Sequence, residues 1–311
     1  MITTSRRADL IKFSVSFLPT RRLKATYWLT KIFGPHKQFI GDFHHGKLEF
    51  NPKDPASKSA FYFGFYEKET TMWFLDQVKN KKVTFLDVGA NFGYFSFLAQ
   101  SFALPGSNII AFEPDPNTRA WLERNNKMNE SDLTIEPLAV SSQKGEVEFL
   151  SCSADEQNAS WSRIDFNDAP ESGVPLNAKK VKVKCISLDE YLAEKSIDQV
   201  DVLKIDIEGA EGYAIEGMKN SLKNKVFKTI LVEFHNWALP PQHSVPILIK
   251  TFLDNGYKAF RLKTSYLTKD KDKDPDTFLL NNNLAPESLV PLNEVLSENE
   301  ITNWEHFVFK A

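Results

Sequence analysis

The stretch that decides the fold of this chain is Thr84-Phe-Leu-Asp-Val-Gly-Ala-Asn-Phe-Gly-Tyr-Phe-Ser96. Its first half has the apolar character of a buried strand, interrupted near its end by Asp87, and its second half begins a helix. Gly89 and Gly93 carry no Cβ, and the first turn of a helix offers unpaired N–H groups, so the backbone can approach a polar ligand closely. The stretch therefore predicts a cofactor-binding turn in an α/β sheet.

The glycine spacing and the next acidic residue distinguish between two classes of cofactor. The dinucleotide fingerprint G-x-G-x-x-G requires a second glycine that admits a pyrophosphate, and Asn91 occupies that position here. The next apolar run, residues 109–112, ends at Glu113, whose carboxylate can accept ribose hydroxyl groups. Both features favour a nucleoside without a diphosphate. An NAD-type oxidoreductase is the alternative on the same fold, and Asn91 discriminates against it.

From residue 83 onward, short apolar runs alternate with helical segments, which predicts a parallel sheet with helices on both faces. We predict seven strands, at residues 83–88, 109–112, 134–138, 202–205, 229–234, 258–262 and 307–309. Residues 145–186 interrupt the alternation with two β-rich runs and predict an inserted hairpin. Residues 39–50 predict a second hairpin, and residues 69–80 predict a helix that packs on the sheet.

Composition sets the broad class. With 311 residues and 42% hydrophobic content, the chain can bury a large core, and we expect one α/β domain over 61–311 after an extension over 1–60. The formal net charge of −3 argues against a general nucleic-acid binder. Cys152 and Cys185 are the only cysteines, too few for a disulfide framework or a cysteine-based zinc site, so a reducing, cytoplasmic location is expected.

The N-terminal segment is basic and amphipathic. No apolar stretch reaches the ~20 residues that cross a bilayer, and Lys12 interrupts the apolar part in a way that disfavours a signal peptide. Residues 1–34 carry one acidic residue, Asp9, against the basic residues Arg6, Arg7, Lys12, Arg21, Arg22, Lys24 and Lys31. Such a segment either lies on the inner membrane face or packs on its own domain or on a partner in a homodimer.

Six motifs follow one another in an order that resembles the FkbM-type methyltransferases. They are Asp87-Val-Gly-Ala-Asn-Phe-Gly93, Phe112-Glu-Pro-Asp-Pro116, Ala139-Val-Ser141 before Gly145, Ser187-Leu-Asp-Glu-Tyr-Leu192, Leu203-Lys-Ile-Asp-Ile-Glu-Gly-Ala-Glu211 and Leu231-Val-Glu-Phe-His235. The resemblance covers roughly residues 60 to 262. It implies a class I, Rossmann-like, S-adenosylmethionine-dependent enzyme that methylates a hydroxyl of a carbohydrate or a small natural product. A catalytically silent cofactor-binding module, tethered by the basic N-terminus, is the alternative from another class.

The resemblance also implies which residues contact the cofactor. Asp87 is expected near the ammonium group of the methionine portion, and Glu113 is expected to accept both ribose hydroxyls. Thr70 is expected to hydrogen-bond the carboxylate, and Ala139 to pass the adenine edge. The methionine portion is further expected to be surrounded by Gly89, Ala90, Asn91 and Gly93.

Three ionisable residues fall at the ends of the fourth and fifth predicted strands, where ligands bind in open α/β sheets. They are Asp206, Glu233 and His235; the last two flank Phe234, so they point to one side of their strand. Methyl transfer to a hydroxyl needs either a base or a metal that lowers the hydroxyl pKa, together with close positioning of the two reactants.

Two interpretations of this trio remain open. In the first, which we favour, His235 takes the proton and Asp206 or Glu233 orients its ring. In the second, Asp206 and Glu233, with Asn236, hold Mg²⁺ through oxygen atoms, an arrangement that resembles the catechol-type O-methyltransferases. A purely structural role is also predicted for two residues: Asp206 as the cap of a helix over 209–218, and Lys204 as a paired charge within its strand.

Overall fold

The computed structural model describes residues 34–35, 37–152, 162–165, 178–263, 288–292, 296–302 and 305–311, and every structural statement below refers to these. The predicted basic segment over 1–34 therefore lies outside the described residues, apart from its last position. Within the described ranges, no helix has both the length and the apolar character needed to cross a bilayer.

The described residues form two main sheets, a hairpin and the helices that cover them. The strands are β1 Phe39–Phe43, β2 Gly46–Phe50, β3 Thr84–Val88, β4 Asn108–Phe112, β5 Thr134–Glu136, β6 Ala139–Val140, β7 Gly145–Ser151, β8 Arg163–Ile164, β9 Lys179–Ile186, β10 Val200–Ile205, β11 Phe227–Phe234, β12 Lys258–Leu262, β13 Leu289–Pro291 and β14 Glu305–Lys310. The α-helices are α1 Pro55–Phe63, α2 Lys68–Val78, α3 Tyr94–Phe102, α4 Pro116–Met128, α5 Leu188–Lys195, α6 Glu211–Glu216, α7 Lys219–Lys223 and α8 Val245–Asp254. Short 3-10 helices span Pro241–His243 and Glu298–Glu300.

The central sheet has the strand order β13-β12-β14-β11-β10-β3-β4-β5 in the described part of the chain. The five strands from β11 to β5 in this order run parallel to their neighbours, and β14 lies antiparallel between β11 and β12. The expected α/β class is confirmed, and all seven predicted strands are present. The sheet has an eighth strand, β13, which the prediction lacked because it is a three-residue edge strand ending in proline.

The third predicted strand is shorter than expected. We expected residues 134–138, whereas β5 ends at Glu136, and the chain then enters β6 in a different sheet. Pro137 lies at the break, and proline cannot donate a ladder hydrogen bond. This small sheet has the order β6-β9-β7-β8, so the two predicted β-rich runs pair as β7 and β9 and gain a strand on each side.

The N-terminal hairpin β1–β2 packs against helices and forms an extra layer. Phe39 meets Phe61 of α1 edge to face, with ring centroids 4.9 Å apart. On the other side, Trp121 of α4 donates its indole N–H to the Glu49 carbonyl at 2.8 Å, and the Glu49 carboxylate pairs with Arg124 at 2.7 Å. Each buried aromatic ring contributes on the order of 2 kcal/mol, so this layer is a stable part of the described fold.

Candidate active site

The turn after β3 has the backbone geometry that its glycines predicted. Gly89 has a φ of 81°, and an added Cβ would lie 1.9 Å from the Asp206 carbonyl oxygen, so no other residue fits without displacing the neighbouring turn. Gly93 has a φ of 95°, but an added Cβ there would meet Leu122 and Phe97. Gly89 therefore brings two loops together, whereas Gly93 serves helix packing.

Asn91 and Glu113 join the ends of β3 and β4. Asn91 adopts a left-handed φ of 53°, and its backbone N–H donates to one Glu113 carboxylate oxygen at 2.8 Å. The other Glu113 oxygen accepts the N–H of Asp115 at 2.9 Å. Burial, followed by the charge of Asp115, raises the pKa of Glu113 to about 8. A buried carboxylate thus lies at the tip of β4, as a ribose-binding residue requires.

A cavity opens over the carboxyl ends of β3, β4, β10 and β11, with about 880 Å³ of open space that includes solvent. We call the turn after β3, together with Glu113 at the tip of β4, the donor turn. The donor-turn side of the cavity is lined by Gly89, Asn91 and Glu113. The apolar side is lined by Leu138, Ala139, Val140, Phe149 and Ile164. The polar side is lined by Tyr66, Asp206, Glu208, Glu233 and His235.

Four of the expected cofactor residues are not among the residues that line this cavity: Thr70, Asp87, Ala90 and Gly93. Asp87 is buried and accepts a hydrogen bond from the Ser96 hydroxyl at 2.7 Å. Thr70 is also buried, and its hydroxyl has no hydrogen-bond partner among the described residues. The other five expected cofactor residues line the cavity: Gly89, Asn91, Glu113, Ala139 and Asp206.

Lys204 is a buried, paired charge, as the sequence predicted. Its ammonium nitrogen lies 3.0 Å from an Asp206 oxygen and 3.9 Å from an Asp87 oxygen. Although burial opposes the charge of Lys204, these two carboxylates raise its pKa. Burial likewise opposes the charge of Asp206, but Lys204 and His235 hold its pKa below the ordinary value. The expectation that Asp206 caps the next helix is wrong, because α6 begins at Glu211 after Ala210, without a side-chain cap.

His235 lies among carboxylates, but not those expected to orient it. Its Nδ1 is 2.9 Å from Glu211 Oε1, and its Nε2 is 3.4 Å from Glu208 Oε2 and 4.0 Å from Glu233 Oε1. Burial works against a charged ring, yet Glu208 and Glu211 raise the pKa of His235 well above its ordinary value. These carboxylates favour the protonated form of the ring, which makes His235 a less suitable first acceptor of a substrate proton.

Two carboxylates beside His235, Glu208 and Glu211, were not selected from the sequence, and of these Glu208 is the one that lines the cavity. It lines the cavity, has a left-handed φ of 52°, and faces His235. Burial raises the pKa of Glu208 to about 7. A carboxylate with that pKa matches the requirement for a general base near neutral pH. Its position in the motif Asp206-Ile-Glu-Gly-Ala-Glu211, where two further acidic residues follow Asp206, was the available signal.

A second histidine, His306 of β14, contacts Glu233 on the polar side of the cavity. β14 pairs with β11 so that His306 is opposite Glu233, and His306 Nε2 lies 3.3 Å from Glu233 and 3.0 Å from Glu67. Against the effect of burial, these two carboxylates raise the pKa of His306 well above its ordinary value. Glu67 itself has a left-handed φ of 47°. No sequence motif connects residues so far apart.

The residues expected to hold Mg²⁺ do not form one donor set. Asp206 groups with Glu208 and His235, whereas Glu233 groups with Glu67 and His306. Asn236 is not among the cavity-lining residues. Each group combines two carboxylates with one histidine, so one of its three donors is a ring nitrogen and not an oxygen. Mg²⁺ prefers an octahedron of oxygen atoms, so these donors fit it poorly.

Comparison with known proteins gives a consistent assignment. The sequence profile of the methyltransferase FkbM domain matches residues 87–259. The chain is 28% identical over 171 residues to hexuronic acid methyltransferase AglP of Haloferax volcanii, which is 54% of this chain and 62% of AglP. It is 27% identical over 149 residues to 2-O-methyltransferase NoeI of Sinorhizobium fredii, which is 46% of this chain and 60% of NoeI. The matched region spans about three fifths of the length of each relative.

Among solved structures, methyltransferase FkbM of Methylobacillus flagellatus KT aligns with 98% of this chain and 59% of its own, at 10% identity and a TM-score of 0.43. The profile match is the stronger finding, because it covers more than half of this chain. It begins at Asp87 in β3, includes Glu113, Glu208 and His235, and ends at Ala259 in β12. The resemblance seen in the motifs is thereby confirmed, and this protein belongs to the FkbM methyltransferase family.

Proposed function

We propose that this protein is an S-adenosylmethionine-dependent O-methyltransferase that acts on a hydroxyl of a carbohydrate or a small natural product. The observation that carries the proposal is the single cavity that joins the Asn91–Glu113 turn to the Glu208–His235 pair. One side suits a nucleoside and the other suits proton removal. The names of the relatives, a hexuronic acid methyltransferase and a 2-O-methyltransferase, support a sugar acceptor.

The donor-turn residues fit S-adenosylmethionine, which supplies an electrophilic methyl group when bound. Glu113 is available to accept the ribose hydroxyls, and the missing Cβ of Gly89 leaves room for close backbone approach. Ala139, between Leu138 and Val140, provides an apolar wall for the adenine. The same residues disfavour the NAD alternative, because the Asn91 side chain stands where a pyrophosphate needs a glycine.

On the polar side, this chain removes the acceptor's proton. Glu208 accepts the hydroxyl proton on its carboxylate, and the protonated His235 ring, held by Glu211, positions Glu208. Much of the rate comes from holding the hydroxyl in line with the donor. This assigns His235 a positioning role in place of the base role favoured from the sequence. Asp206 pairs with Lys204, and Glu233 pairs with His306, so that these two carboxylates near Glu208 each have a neighbouring cation.

We further propose that the reaction needs no dedicated Mg²⁺, because the two carboxylate–histidine groups fit that ion poorly. Activity is therefore expected to survive treatment with EDTA. Peripheral membrane contact through residues 1–34, cytoplasmic location and homodimer formation stay predictions from the sequence.

Calorimetry with S-adenosylhomocysteine, followed by a transfer assay with labelled S-adenosylmethionine, tests the proposal. We expect binding to the wild type and a loss of affinity of about ten- to a hundredfold in Glu113→Ala, since a hydrogen bond to a charged group is removed. Glu123→Ala is the matched control, on the exposed side of α4. An absence of S-adenosylhomocysteine binding would refute the cofactor assignment. Binding without transfer to any acceptor in a panel of sugars and natural products would favour the silent module.

A further inference from the structure

The charged side chains that line the cavity are mostly negative. Asp206, Glu208 and Glu233 line its polar side, and Glu113 lines the donor-turn side. Among the described lining residues there is no lysine or arginine, and His235 is the only basic group. The side chains of Asp206, Glu208 and Glu233 remain 26%, 17% and 10% exposed, so a ligand in the cavity can contact them.

The ion pairs around these three residues do not balance their negative charge. The carboxyl groups of this network are those of Glu67, Asp87, Asp206, Glu208, Glu211 and Glu233, and its cations are those of Lys204, His235 and His306. Arg163 also acts on Glu208, and the carboxyl groups still outnumber the cations. Buried charges in proteins are usually paired, because an unpaired charge is costly to take out of water. The network therefore favours a ligand that brings a positive charge.

The excess of carboxylates also affects the proposed base. Burial raises the pKa of Glu208 to about 7, and the charges of Asp206 and Glu233 contribute to the rise. The charge of His235 works in the opposite direction. A cation placed beside these carboxylates favours their ionised forms. A positively charged ligand therefore leaves Glu208 better able to accept a proton.

Two buried polar atoms on the donor-turn side of the cavity also point to a ligand. The Thr118 hydroxyl and the Asn91 side-chain oxygen have no hydrogen-bond partner among the described residues, and both residues line the cavity. Thr118 is 2% exposed. Buried polar groups are nearly always hydrogen-bonded, so these two indicate a polar ligand beside Glu113. Because the three carboxylates line the same cavity, a nucleoside with a positively charged arm suits both sides.

We propose that Asp206, Glu208 and Glu233 bind the positive charge of S-adenosylmethionine and thereby distinguish it from S-adenosylhomocysteine. This inference rests on the proposed function and adds to it a preference for the methyl donor over the product. S-adenosylmethionine carries a sulfonium cation, whereas S-adenosylhomocysteine is a neutral thioether at the same position. Apart from the methyl group, the two molecules are otherwise alike, so their difference in affinity depends on the charge. A product that binds less tightly than the donor is readily replaced by it.

Calorimetry on the full chain, without an acceptor, tests the inference with S-adenosylmethionine, S-adenosylhomocysteine and sinefungin. In sinefungin, a carbon that bears a protonated amine replaces the sulfonium, so the charge is kept and the chemical group is changed. We expect both cationic ligands to bind about tenfold more tightly than S-adenosylhomocysteine. If S-adenosylhomocysteine binds as tightly as either of them, the inference is overturned. If none of the three ligands binds, the proposed function itself is contradicted.

Two variants that each remove one negative charge complete the test. Asp206→Asn and Glu208→Gln should each weaken the binding of the cationic ligands by about three- to tenfold. Their affinity for S-adenosylhomocysteine should stay within about twofold of the wild-type value, which also shows that they are folded. If Asp206→Asn does not fold, Glu208→Gln alone decides the test.

The matched controls are Asp42→Asn and Glu146→Gln, at exposed positions in β1 and β7. Both controls should keep the wild-type preference for the cationic ligands. A smaller preference in either cavity variant, with both controls unchanged, supports the inference. A preference that persists in every folded cavity variant, or that falls equally in the controls, overturns it.

Discussion

The two sides of the cavity are assembled in different ways. The donor turn is local: the Asn91–Glu113 hydrogen bond joins residues 22 positions apart, across one strand–helix–strand unit. The polar side also includes a local pair, His235 with Glu211, 24 positions apart, but its Glu67–His306 contact spans 239 positions. The proposed nucleoside site thus lies within one strand–helix–strand unit, whereas the charge balance around the proposed base depends on strands from distant parts of the chain.

The largest expected effect is on the proposed base. Glu208→Gln keeps the size of the side chain and removes its ability to accept a proton, so the rate of methyl transfer should fall by about 10²- to 10⁴-fold. The affinity for S-adenosylhomocysteine should stay within about twofold, because the donor turn is intact. Glu146→Gln, at an exposed position in β7, is the matched control. An equal loss in both variants would remove Glu208 from the mechanism.

The same residue predicts how activity depends on pH. A base must be deprotonated to act, and the pKa of Glu208 is about 7, so the wild-type rate should rise with pH through about 7. At higher pH, loss of the proton from His235, whose pKa is well above its ordinary value, should lower the rate again. Both changes can be measured as the rate of methyl transfer against pH with saturating acceptor. In Glu208→Gln, the rise in rate through about pH 7 should be absent.

The next effect concerns the donor turn. Gly89→Ala places a Cβ 1.9 Å from the Asp206 carbonyl oxygen at a φ of 81°, so the variant should lose about 3 to 5 kcal/mol of unfolding free energy. Gly106→Ala is the matched control, since its φ of 78° is similar but its nearest atom is the flexible Lys82 side chain at 3.4 Å. It should lose about 1 kcal/mol in denaturant titrations. Similar losses of unfolding free energy in the two variants would mean that glycine is required at position 89 by the left-handed backbone conformation and not by the close approach of the Asp206 carbonyl oxygen.

A smaller effect tests the long-range contact. His306→Gln removes the cation that lies between Glu67 and Glu233 but keeps an amide donor, so we expect a loss of about 2 to 3 kcal/mol of unfolding free energy at neutral pH. Because the folded pKa of His306 is raised, its contribution is fully present below the unfolded pKa of 6.5 and is lost as pH rises through the folded value. The stability difference between wild type and variant should therefore shrink at alkaline pH. A difference that does not change with pH would contradict the charge-based explanation.

The smallest effect is on cofactor affinity. Ribose hydroxyls donate to an ionised carboxylate, and the pKa of Glu113 is about 8 in the unliganded protein. Binding of S-adenosylhomocysteine should therefore release protons and become up to about tenfold tighter as pH rises from about 7 to 8. Calorimetry in buffers with different ionisation enthalpies measures the proton release. Glu113→Gln should show no such dependence.

Much of the fold was predictable because its signals are local. Seven strands followed from apolar runs between turn residues. Short edge strands lacked such signals: β13 has three residues and β8 has two. Three of the proposed cofactor residues that face the cavity, Gly89, Asn91 and Glu113, lie in motifs. The spacing of residues within a motif does not specify how they pack. It therefore does not predict which of them, such as Asp87, turn away from the cavity.

By itself, the amino-acid sequence determined the α/β class, the turn after β3, the carboxylate at the tip of β4 and the membership of a methyltransferase family. Each depends on residues close in the chain, whose backbone preferences and apolar periodicity act locally. Only the tertiary structure decided that Glu211 and Glu208 flank His235 and that His306 meets Glu67. The first placement comes from the pairing of β10 with β11, and the second from the antiparallel insertion of β14; burial of the charges brought together in this way causes the pKa shifts.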